Sequence, residues 1–135
     1  MDARKLKVVT VAVKDLDQAL KTFQASFGFP VSRRGKDARS GASSAYLKIG
    51  DAEIELVAEG APSGPVADFV AQRGEGLFLL KLEVVDLDAA VRELESRGVA
   101  VRAETSSTGQ RVAWVGPQGT NGVLLQLAAA GPSTR

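Results

Sequence analysis

Val13-Lys14-Asp15-Leu16-Asp17-Gln18-Ala19-Leu20 returns 71 positions later as Val84-Val85-Asp86-Leu87-Asp88-Ala89-Ala90-Val91. The same offset carries Ile54-Glu55-Leu56 onto Leu125-Gln126-Leu127. One supersecondary unit written twice implies a pseudo-twofold arrangement and a site shared between the copies. Working outward, Leu6 to Val13 is β-branched and apolar and reads as a buried strand. Asp15 starts a helix, with Asp15 and Gln18 spaced as a capping box. Leu16, Ala19, Leu20, Phe23 and Phe27 share one helical face, and Gly28 ends it. A short strand is expected near Phe29 to Ser32, followed by a polar loop from Arg33 to Gly41. Ser43 to Ile49 and Ala52 to Ala58 alternate as a hairpin turning at Gly50-Asp51.

Residues 60–76 form a linker with a short helix begun at Pro65, whose Val66, Phe69 and Val70 share a face. The pattern then recurs. A strand from Leu77 to Val84 is followed by a helix from Asp86, with Leu87, Ala90, Val91 and Leu94 aligned and Gly98 as its stop. Further strands are expected near Val99 to Ala103, Gln110 to Val115 and Gly122 to Ala128. The organisation is a βαβββ module over residues 1–59, the linker, a second module over 77–130, and a frayed tail from 131 to 135, all in one domain. Helices are too few for a doubly wound sheet. The fold class is α+β: two pseudo-symmetric βαβββ modules forming a cup-shaped mixed sheet with helices on the outside.

The chain has no histidine and no cysteine, so thiolate nucleophiles, Cys/His zinc sites and histidine-assisted serine catalysis are excluded. Any general acid or base is Asp, Glu, Lys, Tyr or water. With 17 basic and 16 acidic residues scattered along it, the chain offers no footprint for nucleic acid. No apolar run approaches the roughly 20 residues of a membrane span, and the first residues lack a signal peptide's apolar stretch. A cytoplasmic location is expected.

Strand alternation assigns the faces. Val9, Val11 and Val13 should pack under the first helix, and Phe78, Leu80, Leu82 and Val84 under the second. The inward, uncovered face then carries Val8, Thr10, Ser44, Tyr46 and Glu55 from the first half. Leu79, Lys81, Val112, Trp114, Leu124 and Gln126 come from the second. This small, apolar lining with two aromatic plates and a few polar groups suits a small-molecule pocket. Tyr46 and Trp114 either stack on a planar ligand or fill core. Glu55 and Lys81 are either a catalytic base with its cation or a structural ion pair.

These residues resemble the vicinal oxygen chelate superfamily of glyoxalase I, bleomycin-resistance proteins, extradiol dioxygenases and methylmalonyl-CoA epimerase. The likeness is nearest the epimerase branch, through Val11-Ala12-Val13-Lys14-Asp15-Leu16-Asp17, Ala52-Glu53-Ile54-Glu55-Leu56-Val57, Gln72-Arg73-Gly74-Glu75-Gly76-Leu77 and Gly109-Gln110-Arg111-Val112-Ala113-Trp114. The resemblance implies paired βαβββ modules and a homodimer. It also implies that Glu55 and Gln126 match metal-ligand positions, while Val8 and Leu79 stand where metal-using relatives have histidine. The loop place matching an epimerase glutamate holds Arg39.

With two ligand positions aliphatic, no metal or other cofactor is expected. The expected function is therefore a metal-independent protein, a binder rather than an enzyme, that sequesters a small hydrophobic or aromatic, antibiotic-like ligand in the manner of bleomycin-resistance proteins. One alternative is a cofactor-free isomerase, epimerase or cyclase with Glu55 as base and Lys81, Thr10 or Tyr46 polarising an oxygen. A second is a metal-dependent epimerase or lyase that retains Glu55 and Gln126. A third is a subunit that serves only to dimerise.

Overall fold

Asp15 accepts a hydrogen bond from the Gln18 backbone N–H at 3.0 Å, and Asp86 accepts one from that of Ala89 at 3.0 Å. Each repeat thus starts its helix with the same side-chain cap, which satisfies an N–H that the first turn leaves without a partner. In the computed structural model, which describes residues 1–38, 40–106 and 109–130, these helices sit in two compact units. One unit holds residues 8–78, and the other holds residues 1–7 with the chain from 79 onward. Asp15→Ala and Asp86→Ala should each lower unfolding free energy by about 1 kcal/mol in denaturant titrations. Unchanged midpoints in both would show that the caps are idle.

The elements of the first unit are β1 (Ala3–Ala12, from Val8 onward), α1 (Leu16–Lys21), β2 (Val31–Lys36), β3 (Ser43–Ile49), β4 (Ala52–Ala58) and α2 (Pro65–Arg73). Its strands run in the order β2-β3-β4-β1, antiparallel except for the parallel β4–β1 pair. The second unit holds β5 (Gly76–Val84, from Leu79 onward), α3 (Leu87–Ser96), β6 (Arg102–Thr105), β7 (Arg111–Val115) and β8 (Leu124–Ala129). Its order, β5-β8-β7-β6 with β5 and β8 parallel, is the first unit's order repeated. The α+β assignment and the βαβββ repeat therefore hold. No helix among the described residues is long and apolar enough to cross a membrane.

Each helix buries the face that its spacing predicts. Leu16 and Leu20 of α1 pack with Val13, Ala45, Leu47, Leu56 and Ala58. Leu87 and Ala90 of α3 pack with Val84, Ala113 and Leu127. Burying one Leu side chain contributes roughly 1.5–3 kcal/mol, so these faces hold the helices on their sheets.

Four expectations need correction. Phe27 is 61% exposed, because α1 passes into a π-helical turn at Thr22–Ser26 that rotates Phe27 off the buried face and onto Phe29, at 5.7 Å. β2 spans Val31–Lys36, so Arg33 to Lys36 are strand rather than loop. An edge strand pairs on one side only and tolerates charge, which hides it from a hydrophobicity pattern. The inner face of the first unit is partly covered, since Val66 of α2 packs on Ala12, Ala42 and Val57. Phe78 belongs to that α2 cluster, edge-on to Phe69 at 5.2 Å, and not beneath α3. The expectations for Arg39 and for the tail from 131 to 135 fall outside the described residues.

Candidate active site

The register of the first unit lines up one row of side chains across four strands. Arg33 pairs with Tyr46, Tyr46 with Glu55, and Glu55 with Thr10. Equal parity puts this row on the sheet face opposite Val11 and Leu56, away from α1. Glu55 is only 6% exposed. Thr10 Oγ1 donates to its Oε1 at 2.8 Å, while Ser44 Oγ and the Tyr46 phenol donate to its Oε2 at 2.6 and 3.0 Å. A buried carboxylate is costly unless hydrogen-bonded, and here three hydroxyl groups replace its water.

The phenol is itself held in place. The Arg33 guanidinium lies over the Tyr46 ring at 3.6 Å from its centroid and pairs with Glu53 at 2.9 Å. Ser32 also donates to Glu53, at 2.8 Å. Burial, and next the charge of Glu55, push the Tyr46 pKa well above its ordinary value, against the opposing influence of Arg33. Tyr46 therefore acts as a proton-bearing donor and not as a base.

Tyr46 is the only tyrosine in the chain, so ultraviolet difference absorbance reads it alone. No phenolate should form near pH 10, where a free tyrosine is half ionised; half-ionisation there would contradict the geometry. The native state holds this proton more tightly than the unfolded chain does. The associated stability is thus complete below about pH 10 and is lost as pH rises beyond it.

The second unit carries the matching row: Arg102 pairs with Trp114, Trp114 with Gln126, and Gln126 with Lys81. Trp114 Nε1 donates to Glu104 at 3.0 Å, and Arg102 lies 5.9 Å from the Trp114 ring centroid. The duplication thus preserves the arginine beside an aromatic, and replaces Thr10 with Lys81 and Glu55 with Gln126. Val8 (3% exposed) belongs to the first unit, while Leu79 (5%), Val112 and Leu124 belong to the second. Val8 shares parity with Thr10, Leu79 with Lys81, Val112 with Trp114, and Leu124 with Gln126. These candidates are legible in the sequence, whereas Arg33, Arg102 and Glu104 are not; Glu53, which alternation places inward beside Glu55, is not singled out there as a site residue. The two arginines are cross-strand partners of the two aromatics, and only the register of the edge strands reveals that.

Residues 5–127 match the profile of the Glyoxalase/Bleomycin resistance protein/Dioxygenase superfamily. The chain belongs to that superfamily. Within it, the chain is 26% identical over 130 residues to mitochondrial methylmalonyl-CoA epimerase of Homo sapiens, covering 93% of this chain and 74% of that protein. The solved methylmalonyl-CoA epimerase of Mycobacterium tuberculosis is similar at 31% identity, with 94% of this chain and 88% of that one aligned and a TM-score of 0.84. A Streptomyces coelicolor methylmalonyl-CoA epimerase variant in complex with 2-nitronate-propionyl-CoA shares the fold at 24% identity and a TM-score of 0.86, covering 97% of this chain and 100% of that one.

These superfamily relatives overturn the expected function. A ligand-sequestering binder, and with it the leaning away from an enzyme, is contradicted by relatives that are epimerases along almost the whole chain. The aliphatic residues at Val8 and Leu79 raise the separate question of metal binding.

That question turns on the donor set. A divalent ion wants about four to six donors. Of the four positions that the resemblance names, Val8 and Leu79 offer hydrocarbon, Gln126 offers one neutral amide oxygen, and both oxygens of Glu55 already accept hydroxyl hydrogens. No group of three or more His, Cys, Asp or Glu among the described residues could hold a metal ion. These residues do not fit the ion that the superfamily resemblance implies.

Proposed function

We propose that this protein is an isomerase of acyl thioesters that moves the proton on the carbon next to the thioester carbonyl, with Glu55 as the base. The buried carboxylate of Glu55, which accepts from the hydroxyl groups of Thr10, Ser44 and Tyr46, carries the reading. In a chain without histidine or cysteine, a desolvated carboxylate is a suitable proton acceptor for a carbon acid. The similarity to methylmalonyl-CoA epimerases supports a 2-branched malonyl-type CoA thioester as substrate. Its C2 lies next to the thioester carbonyl, so the electron pair left by the departing proton spreads onto the thioester oxygen.

In the proposed step the C2–H bond breaks, its proton passes to a Glu55 oxygen, and the substrate becomes an enolate. A water molecule on the other face then gives a proton to C2, which forms the new C–H bond and inverts the centre, and Glu55 releases its proton to the resulting hydroxide, so that the carboxylate and water are restored. Ser44 and Tyr46 can reorient their hydroxyl groups as Glu55 gains and loses the proton, which keeps the carboxyl group hydrogen-bonded throughout. The reading retains the homodimer that the resemblance implies, and light scattering should return twice the chain mass. The functional test supplies a single C2 epimer of methylmalonyl-CoA and follows its conversion by chiral chromatography. An approach to equal amounts of both epimers is expected; an epimer that persists at the protein-free rate contradicts the reading.

A further inference from the structure

We propose that this site has exchanged a metal ion for a hydroxyl cage, in which Thr10, Ser44 and Tyr46 hold the Glu55 carboxylate and no divalent cation is taken up. The cage draws on two strands, with Thr10 on β1 and Ser44 and Tyr46 two positions apart on β3. Both Ser44 and Tyr46 therefore face the same oxygen, Oε2, while Thr10 takes Oε1. A cation at Oε2 would meet two hydroxyl hydrogens already directed there, and one at Oε1 would meet that of Thr10; a proton needs a single oxygen, whereas a divalent ion needs about four to six donors. Reversing those hydroxyl groups would give up the hydrogen bonds that make a buried charge tolerable.

The flank of the cage is equally unsuited to an ion. Val8 shares the face of Thr10 on β1, two residues away, and is buried there as hydrocarbon. At the other end, Ser32, Glu53 and Arg33 brace the Tyr46 ring, so the phenol is held toward Glu55 by a chain of contacts reaching the edge strand. Thr10, Ser44 and Tyr46 are positioning residues that act through Glu55. Their effect on turnover rests on the proton-transfer reading above, whereas the exclusion of cations does not.

The test uses the full chain purified without chelator. Elemental analysis and calorimetric titration with Mn²⁺ and Zn²⁺ should find neither a stoichiometric ion nor saturable binding. Epimerisation of methylmalonyl-CoA should be unchanged by a chelator. Thr10→Val, which releases Oε1 from its place, should lower kcat roughly tenfold to a hundredfold at unchanged KM, the range expected when a catalytic group is misplaced by about an ångström. Thr10→Ser, which keeps the hydroxyl group, should restore it. A retained ion, chelator-sensitive turnover recovered by adding the ion, or equal kcat in Thr10→Val and wild type would overturn the cage. If wild type turns over no acyl thioester, the proton-transfer reading fails on its own, and the cation titration still decides whether the cage excludes a metal.

Discussion

Glu55→Gln is expected to cut epimerisation of methylmalonyl-CoA by about a hundredfold to ten-thousandfold while leaving the protein folded. Glutamine has the same length, and with its carbonyl oxygen in the place of Oε2 it accepts the Ser44 and Tyr46 hydrogens. Its NH₂ group then faces Thr10, whose hydroxyl can turn to accept. The cage thus survives the substitution and the basic carboxylate does not. Far-ultraviolet circular dichroism and the thermal midpoint should stay near wild type. A Glu55→Gln protein with wild-type turnover would remove Glu55 from the chemistry, and a general unfolding would show that its charge is structural.

The second large effect concerns the core behind the site. Leu56 follows Glu55 on β4, points to the opposite face, is 0% exposed, and packs among Leu16, Leu20 and Leu47. Leu127 holds the repeat-related place on β8, 1% exposed against Leu87 and Ala90. Truncation of either to alanine opens a cavity beneath a helix and should cost about 2–5 kcal/mol. Chemical denaturation of Leu56→Ala and Leu127→Ala reads this directly. Losses below about 1 kcal/mol would mean that the helix–sheet seams are not packed as described. In Leu56→Ala, activity should fall with the folded fraction only, which separates the core from the row on the other face.

How far the sequence could be read follows from where each signal resides. The helices were legible because Asp15 and Asp86 cap them locally and their apolar residues recur at helical spacing. The hairpin of β3 and β4 was legible from its alternation and from Gly50, which adopts a φ of +56° in the turn. β2 was placed too early because Ser32, Arg33, Arg34 and Lys36 have the composition of a loop. Their strand character comes from pairing with β3, which no local pattern encodes.

The same reason explains what was missed at the site. Thr10, Ser44, Tyr46 and Glu55 were each assigned to one face, but their convergence depends on a three-strand register. Alternation fixes a face and leaves that register open. Arg33 escapes a local reading because its neighbours have the composition of a loop. The binder reading fails for a different reason: aliphatic residues at Val8 and Leu79 take away ligands for an ion, but a carboxylate with its own hydrogen-bond donors can hold its charge without one.

The most direct test is deuterium uptake at C2 of methylmalonyl-CoA in D₂O, with chelator-treated wild type beside Glu55→Gln. The structure leads us to expect deuterium at C2 with wild type, unaffected by the chelator, and a rate with Glu55→Gln close to that of buffer. Uptake by wild type no faster than in buffer, or undiminished uptake in Glu55→Gln, would contradict the assignment of Glu55 as the base.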